Sequence, residues 1–404
     1  MLSKFLRVFR VFRSTHISFR FPKQVPIVQI HGDGIEILTQ YVDRSSVLII
    51  DSTEFNFWIL LKCVLTAKFK MENYTVAVIK AHKPRIVITF IDNDTNFYLL
   101  KSLIPSPMYI AIQNGLRHNY AYAYRSGFVD HLLKAGGKER LAADLICTFG
   151  KGSSLLFENN IRAKTLVTGN LKNNLLELTG AKKTEYDILY ISQHAPFDIT
   201  NRDEIVYLNE SAVSIHQFYE IEGAVAKFLA QYCNEHSLQF AISGKRGVED
   251  TFEQQFFSDA IGKLPYTFLP REGTFSSYEN AFNSRLAVVI DSTIGYELLS
   301  RGKKVAFFSA RIIGESRGVS KDRDTCFGYP NTYSDNGVFW TNNPDPDEFS
   351  RILNSLLGMT DAEWAAEIQP YTEDLMSYRP GNSEFIQMLK NAGIKATSEV
   401  VSRA

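Results

Sequence analysis

From Val25 onward the chain alternates short apolar runs with longer amphipathic stretches. Runs at 27–30, 47–50, 86–91, 109–112, 145–148 and 165–168 are rich in Ile, Val and Leu and too short for buried helices, so they predict strands. Stretches 34–41, 54–69, 96–103 and 130–142 carry apolar residues at helical spacing and predict helices between most of them. Strands that read as continuous apolar runs are buried on both faces, the condition of a parallel sheet covered by helices. A polar stretch, 180–186, ends this pattern and a second copy begins. Its predicted strands are 188–191, 240–243, 266–269, 287–290 and 305–308, and its helices 211–235, 252–262, 293–301 and 346–357. A helical tail, 361–392, is expected to cross back onto the first unit. The fold class is α/β with two open parallel sheets, divided as 1–24, 25–180, 181–360 and 361–404.

Length agrees, because 404 residues exceed one ordinary core. Lys plus Arg (44) balances Asp plus Glu (44), so no polyanion-binding role is expected and nucleic acid is excluded as a partner. Cys63, Cys147, Cys233 and Cys326 show neither a CxxC nor a metal-ligand spacing. No apolar run reaches the ~20 residues that span a bilayer. The local exception is the N-terminus, where Lys4, Arg7, Arg10, Arg13, Arg20 and Lys23 interleave with Leu2, Phe5, Leu6, Phe9 and Phe12, with no acidic residue before Asp33. Basic residues interrupt it too often for a secretory signal. The pattern predicts contact with an anionic membrane; the plain alternative is a terminal helix packed on the first unit, and a further one is an arginine-rich organellar presequence.

Chemistry-bearing residues gather just after strands. Strand 287–290 ends at Asp291, and Ser292, Thr293 and Gly295 follow where a helix must start. Unpaired N–H groups at a helix start point at anions and hydroxyls add donors beside them, so the turn predicts a nucleotide phosphate site. Glu297, about one turn further, is placed to reach a ribose hydroxyl. Ser243, Gly244, Lys245, Arg246 and Gly247 close strand 240–243, where Gly244 would let a nucleotide approach and Lys245 or Arg246 would neutralise a leaving phosphate. Gln193, in Ser192-Gln193-His194, follows strand 188–191 on the same side. The plain alternatives are a capped helix and a solvated basic turn.

In the first unit, Asp92 and Asp94 follow strand 86–91 and are expected to project into a crevice shared with the second. Either is a candidate general base or nucleophile, or a cap of the helix near Thr95. Gln113, Asn114, Arg117 and His118 follow the next strand. Amides and a guanidinium suit sugar hydroxyls or a carboxylate, and His118 suits acid or base work. Asp33, in HGDG, is a further acidic candidate. The aperiodic segment 311–340 reads as a loop over the crevice.

Two facing Rossmann-like domains with an interdomain cleft and a late phosphate turn make the layout of GT-B glycosyltransferases. The segments DSTIGYELLSRGKKVAFF, VITFIDNDTNFY and YIAIQNGLR resemble those of a family of bacterial surface-carbohydrate biosynthesis proteins of GT-B architecture, over most of the chain from about Val25. The resemblance implies a sugar moved from a nucleotide donor to a lipid-linked oligosaccharide, for O-antigen lipopolysaccharide or capsule, at the inner face of the bacterial cytoplasmic membrane. A distant similarity to retaining β-Kdo transferases and polysialyltransferases makes CMP-Kdo or a related ulosonic acid the first donor. UDP- or GDP-sugar transfer, CDP-glycerol-type transfer, nucleotide-sugar epimerisation and non-catalytic glycan assembly are the alternatives. Where the CMP-sugar enzymes have an acidic pair before glycine, this chain has Gln113-Asn114-Gly115, and it has no His-Pro dipeptide. Asp92-Asn93-Asp94 also has the D-x-D form that holds Mn or Mg on a donor diphosphate in GT-A enzymes. A complete second α/β unit favours a metal-free site, so no cofactor is expected beside the nucleotide-sugar substrate.

Overall fold

A computed structural model describes residues 16–51, 53–66, 70–117, 128–177, 184–194, 205–208, 211–311, 326–328 and 333–396. The first half contains β1 (His16–Ser18), β2 (Ile27–Ile30), the short α1 (Ile35–Leu38), β3 (Val47–Ile50), β4 (Glu54–Asn56), α2 (Phe57–Leu65), α3 (Met71–His82) and β5 (Ile86–Thr89). Then come α4 (Thr95–Leu103), β6 (Met108–Ile112), α5 (Phe128–Lys134), α6 (Gly137–Arg140), β7 (Ala142–Thr148), α7 (Lys151–Asn160), β8 (Arg162–Val167) and α8 (Leu171–Leu175). Six strands form one parallel sheet in the order β3-β2-β5-β6-β7-β8. β2 and β5 are buried at every position, as continuous apolar runs require.

The second half contains β9 (Tyr186–Ile191), β10 (Ile205–Leu208), β11 (Ser211–Ser214), α9 (Ile215–Glu235), β12 (Phe240–Ser243), α10 (Thr251–Ile261), β13 (Thr267–Leu269), α11 (Ser276–Phe282) and β14 (Ser284–Val289). It continues with α12 (Thr293–Ser300), β15 (Val305–Phe308), β16 (Trp340–Thr341), α13 (Pro346–Gly358), α14 (Asp361–Leu375) and α15 (Ser383–Asn391). Its sheet is also six-stranded and parallel, ordered β13-β12-β9-β14-β15-β16. Two Rossmann-like units of this kind constitute a GT-B fold.

Several predicted boundaries move for local reasons. The helix expected over 54–69 begins only at Phe57, because Glu54 to Asn56 pair in parallel with β1 and the Asn56 side chain caps the helix by accepting from Trp58 N (3.1 Å) and Ile59 N (3.2 Å). α3 is an additional helix the pattern did not reveal. The helix expected over 130–142 breaks where Gly136 and Gly137 both take positive φ, and β7 then starts at Ala142. The helix expected from 211 starts at Ile215, because β10 and β11 pair as an antiparallel hairpin.

The tail joins both units. Trp364 on α14 donates through Nε1 to Gly302 O (3.0 Å) and packs among the aromatic rings behind the second sheet. Phe385, Ile386, Met388 and Leu389 of α15 pack under the first sheet with Tyr41 and Ile110. Between them the chain follows an asparagine-rich seam. Asn174 Nδ2 donates to Asn382 Oδ1 (2.7 Å), Asn382 Nδ2 to Tyr41 OH (2.6 Å), and Ser377 N to Phe149 O (2.8 Å). Side-chain amides suit this place, since they satisfy buried backbone groups where no regular ladder can.

Candidate functional site at the facing switch points

In each sheet the chain moves outward along one side, then returns to build the other, and ligand crevices open at the carboxyl ends of strands where that reversal occurs. The reversal lies between β2 and β5 in the first sheet, and between β9 and β14 in the second. The residues just past those four strands are His31, Asp92 to Asp94, Ser192 to His194, and Asp291 to Thr293.

His31, which sequence reasoning passed over in favour of Asp33, is the best-held polar group of the first wall. Its backbone has φ +65°, an uncommon region for a side chain larger than glycine. His31 N donates to Ile50 O (2.9 Å), and the buried Gln29 side chain donates to His31 O (2.9 Å) and Asp33 O (2.8 Å). Its ring Nε2 lies 3.2 Å from Asp94 Oδ2, with 43% of the imidazole exposed against 18% of the carboxylate. The Asp94 hydrogen bond is the largest influence on the imidazole and raises its pKa above 6.5. The available sequence signal was a histidine immediately past a strand and followed by Gly-x-Gly. Asp33 itself is exposed beside it.

Asp94 does two jobs, since its Oδ1 also caps α4 by accepting from Asn96 N (3.0 Å). Asp92 does not project into the crevice as expected. It is fully buried, accepts from Arg117 through Nε (2.7 Å) and the terminal guanidinium nitrogen, and receives Asn114 N (3.1 Å). Desolvation and a bidentate cation remove it as base or nucleophile and occupy Arg117, which also holds Asn114 Oδ1 (2.6 Å). Gln113 turns inward as well: its Oε1 accepts from Phe149 N (2.9 Å), and its Nε2 donates to Gly115 O (3.0 Å) and Ser153 Oγ (3.3 Å). These contacts build the loop, while the Asn114 residue itself stays exposed. His118 lies outside the described residues. With Asp92 turned onto Arg117, the D-x-D pair does not converge on one cation, and no group of three metal-ligating side chains occurs among the described residues.

On the second wall, Ser292 is the N-cap of α12 but its hydroxyl makes no capping bond, while Thr293 Oγ1 accepts from Leu116 N (3.3 Å) of the first unit. That bond joins the two walls. Gly295 serves packing rather than ligand approach, because a Cβ there would lie 2.5 Å from Val289 Cγ2 and 2.8 Å from Phe307. Glu297 does not face a ribose. It is buried and accepts from Asn170 Nδ2 (2.5 Å) and Tyr278 OH, and burial lifts its pKa to about 7.

A carboxyl raised in this way binds its proton more tightly folded than unfolded, so its contribution to stability falls as pH rises from about 4.5 to about 7. Glu297→Gln, which resembles the protonated form, is expected to flatten that slope by an amount on the order of 3 kcal/mol across the window. Melting temperatures of both proteins at half-unit steps from pH 4.5 to 8 measure it; parallel curves would refute the assignment.

The SGKRG turn is also differently used. The buried Glu253 carboxylate receives Lys245 N (3.0 Å), Arg246 N (3.0 Å) and Ser192 Oγ (2.5 Å), filling the nest where a phosphate was expected. A Cβ on Gly244 would meet Phe268 at 2.8 Å and Glu253 at 3.2 Å, so this glycine admits the carboxylate. Ser243 is buried and accepts from Asn280 Nδ2 (3.1 Å). What the turn offers the crevice is side-chain charge: exposed Arg246, and Lys245 with Nζ 3.4 Å from Gln193 O. Gln193 Oε1 in turn accepts from Asp291 N (3.3 Å).

Arg311, at the end of β15, anchors this wall and was invisible in sequence. Its guanidinium is 2% exposed and binds Asp291 Oδ2 through Nε (2.8 Å) and Glu222 Oε1 (3.0 Å). Glu222 also receives Tyr190 OH (2.8 Å) and Gln193 N (3.2 Å). The clasp therefore fixes the first residue of the phosphate turn and the end of β9 together.

Solved structures share this architecture. S. aureus MnaA in a co-structure with UDP superposes with a TM-score of 0.52 at 13% identity, over 94% of this chain and 98% of that one. Anabaena Alr3699/HepE in complex with UDP gives 0.51 at 14% identity, over 91% and 100%. At such identities the likeness is one of fold. No curated protein matches the chain in sequence. A family model does match, over residues 110–393, more than half of the chain and including both the Asp92-bound loop at Asn114 to Arg117 and the Asp291 to Thr293 turn. The chain belongs to that family, described as "putative O-antigen biosynthesis protein".

Proposed function

We propose that the protein is a nucleotide-sugar-dependent glycosyltransferase of surface-polysaccharide assembly, with acceptor on the first wall and donor on the second. The observation that supports this best is the His31–Asp94 pair at one switch point, facing a helix start at the other across the Leu116–Thr293 bond.

Asp94 accepts from His31 Nε2 and so leaves Nδ1 as the basic nitrogen. Nδ1 takes the proton of an acceptor hydroxyl as that oxygen bonds the anomeric carbon. The anomeric bond to the nucleotide phosphate breaks, and the leaving charge develops toward Ser292, Thr293 and the Lys245 ammonium. With Asp92 sealed by Arg117, a single displacement with inversion fits better than a double displacement. The two solved structures compared above hold UDP, which supports a UDP-sugar over CMP-Kdo, and the absent acidic pair and His-Pro dipeptide point the same way. A lipid-linked glycan at the cytoplasmic membrane face is the acceptor in this reading.

Thermal shift against UDP, CDP, GDP, CMP and their sugars tests the donor, and NMR of products from labelled donor tests the chemistry. Lys245→Ala is expected to lower kcat about tenfold, with a smaller rise in donor KM, the effect of losing one charge-assisted contact that strengthens as the leaving charge develops. Epimerised donor released without any acceptor would overturn the transferase reading.

A further inference from the structure

We propose that β1 and α2 form a docking surface for an anionic lipid bilayer, placed at the rim of the acceptor wall; its biological purpose rests on the lipid-linked acceptor above, its existence does not. Twelve large apolar side chains stand exposed among the described residues, and six of them, Phe19 and Phe21 just after β1 and Trp58, Leu61, Val64 and Leu65 on α2, lie in this one region, at 37–77% exposure. α2 is apolar on both sides. Ile59 and Cys63 pack inward, while Trp58, Leu61 and Leu65, spaced three and four apart, share the outward face.

The outward rings are held there. Phe21 stacks on Trp58 with centroids 4.5 Å apart, Phe19 packs on Phe57 at 5.0 Å, Trp58 Nε1 donates to Phe19 O (2.8 Å) and Asn56 Nδ2 to Arg20 O (2.7 Å). Hydrogen bonds that hold large rings against water make sense when another apolar phase takes the water's place. A tryptophan with its N–H satisfied and a face exposed is the usual interfacial anchor. Beside Phe21 a cavity of about 490 Å³ lies between β1 and the sheet edge, lined by the apolar Leu48, Ile59 and Val78 and by the charged Arg20, Lys23 and Glu54.

Charge decides the occupant. Exposed Arg20 and Lys23 follow β1, Lys62 lies on α2 and Lys70 just before α3, against Glu54 and Glu72, and the preceding 15 residues add Lys4, Arg7, Arg10 and Arg13 without an acid. Apolar side chains ringed by cations match the headgroup and acyl layers of an anionic leaflet. The position also fits, since β4 follows the carboxyl end of β3, whose last carbonyl, Ile50 O, holds His31 N.

Trp58 gives a selective probe, because Trp340 and Trp364 are 4% and 2% exposed. With the full chain and vesicles of phosphatidylcholine with and without phosphatidylglycerol, Trp58 emission is expected to shift blue and to be quenched by brominated chains in the anionic vesicles. Leu61→Ser with Leu65→Ser, and separately Arg20→Glu with Lys62→Glu, should each weaken vesicle binding at least tenfold while leaving nucleotide thermal shifts unchanged. Equal binding by the Leu61/Leu65 variant would assign the contact to residues 1–15 and overturn the proposal. Concentration-dependent protection of Trp58 without vesicles would overturn it in favour of a second copy of the chain. Failure of the transferase reading would appear in the product assay and leave vesicle binding untouched.

Discussion

His31→Ala is expected to lower kcat by about 10²–10⁴-fold while the protein stays folded, the loss typical of a general base. The imidazole is partly exposed, and alanine keeps the Cβ that makes the φ of +65° costly, so that backbone cost stays much as it is and the loss of stability is small beside the loss of rate. The pH profile carries the sharper test. Catalysis by this base needs neutral His31, whose pKa Asp94 raises above 6.5, so kcat/KM should rise with pH through a midpoint above that value. The raised pKa also stabilises the fold in acid: that contribution is fully present below 6.5 and is lost as pH rises through the folded value. Asp94→Asn keeps an effective cap for α4, because asparagine is as good an N-cap as aspartate, yet removes the charge that raises His31. Its acid limb should move down toward 6.5, with kcat reduced about tenfold. An unmoved limb would mean that His31 is not the titrating base.

Arg311→Met is expected to cost about 3–5 kcal/mol of stability, because it leaves the Glu222 and Asp291 carboxylates buried without their cation. The pH dependence has a definite sign. Burial already raises the Glu222 pKa above 4.5, and Arg311 is the strongest influence that lowers it again. Without the guanidinium the carboxyl rises further, so protonation relieves the variant in acid and its deficit grows as pH increases from about 5 to neutrality. Calorimetry at pH 5 and pH 7.5 reads that difference directly. Glu222→Gln and Asp291→Asn added to Arg311→Met should recover most of the loss, since neutral partners of similar shape no longer need the cation. Nucleotide protection should not recover with it, because Asp291 would no longer be fixed by two guanidinium bonds at the head of the phosphate turn.

The strands were legible because burial on both faces writes itself into short apolar runs, and β2, β5, β9 and β12 start and end close to where those runs do. The turn at Asp291 to Thr293 was legible for the same local reason, small hydroxylated residues between a strand and a helix. Boundaries failed where a single side chain outweighed the pattern, as Asn56 does by capping α2, or where pairing partners lay far away, as with β1 and β4. Gly244 and Gly295 show how motif chemistry misleads: both read as places for a nucleotide to approach, and both are small because Phe268, Glu253, Val289 and Phe307 crowd them.

Sequence by itself thus determined two parallel sheets, the strand ends where chemistry collects, and the kinds of side chain gathered there. Tertiary structure decided which of those side chains remain available. Strand order sets β2 beside β5, and so brings His31 to Asp94 across 63 residues while Arg117 closes over Asp92. It likewise brings Glu253 into the Lys245 turn and Arg311 between Glu222 and Asp291. Apolar periodicity is a local record of burial, whereas the pairing of buried charges depends on which loops the fold makes neighbours, and no short-range pattern carries that.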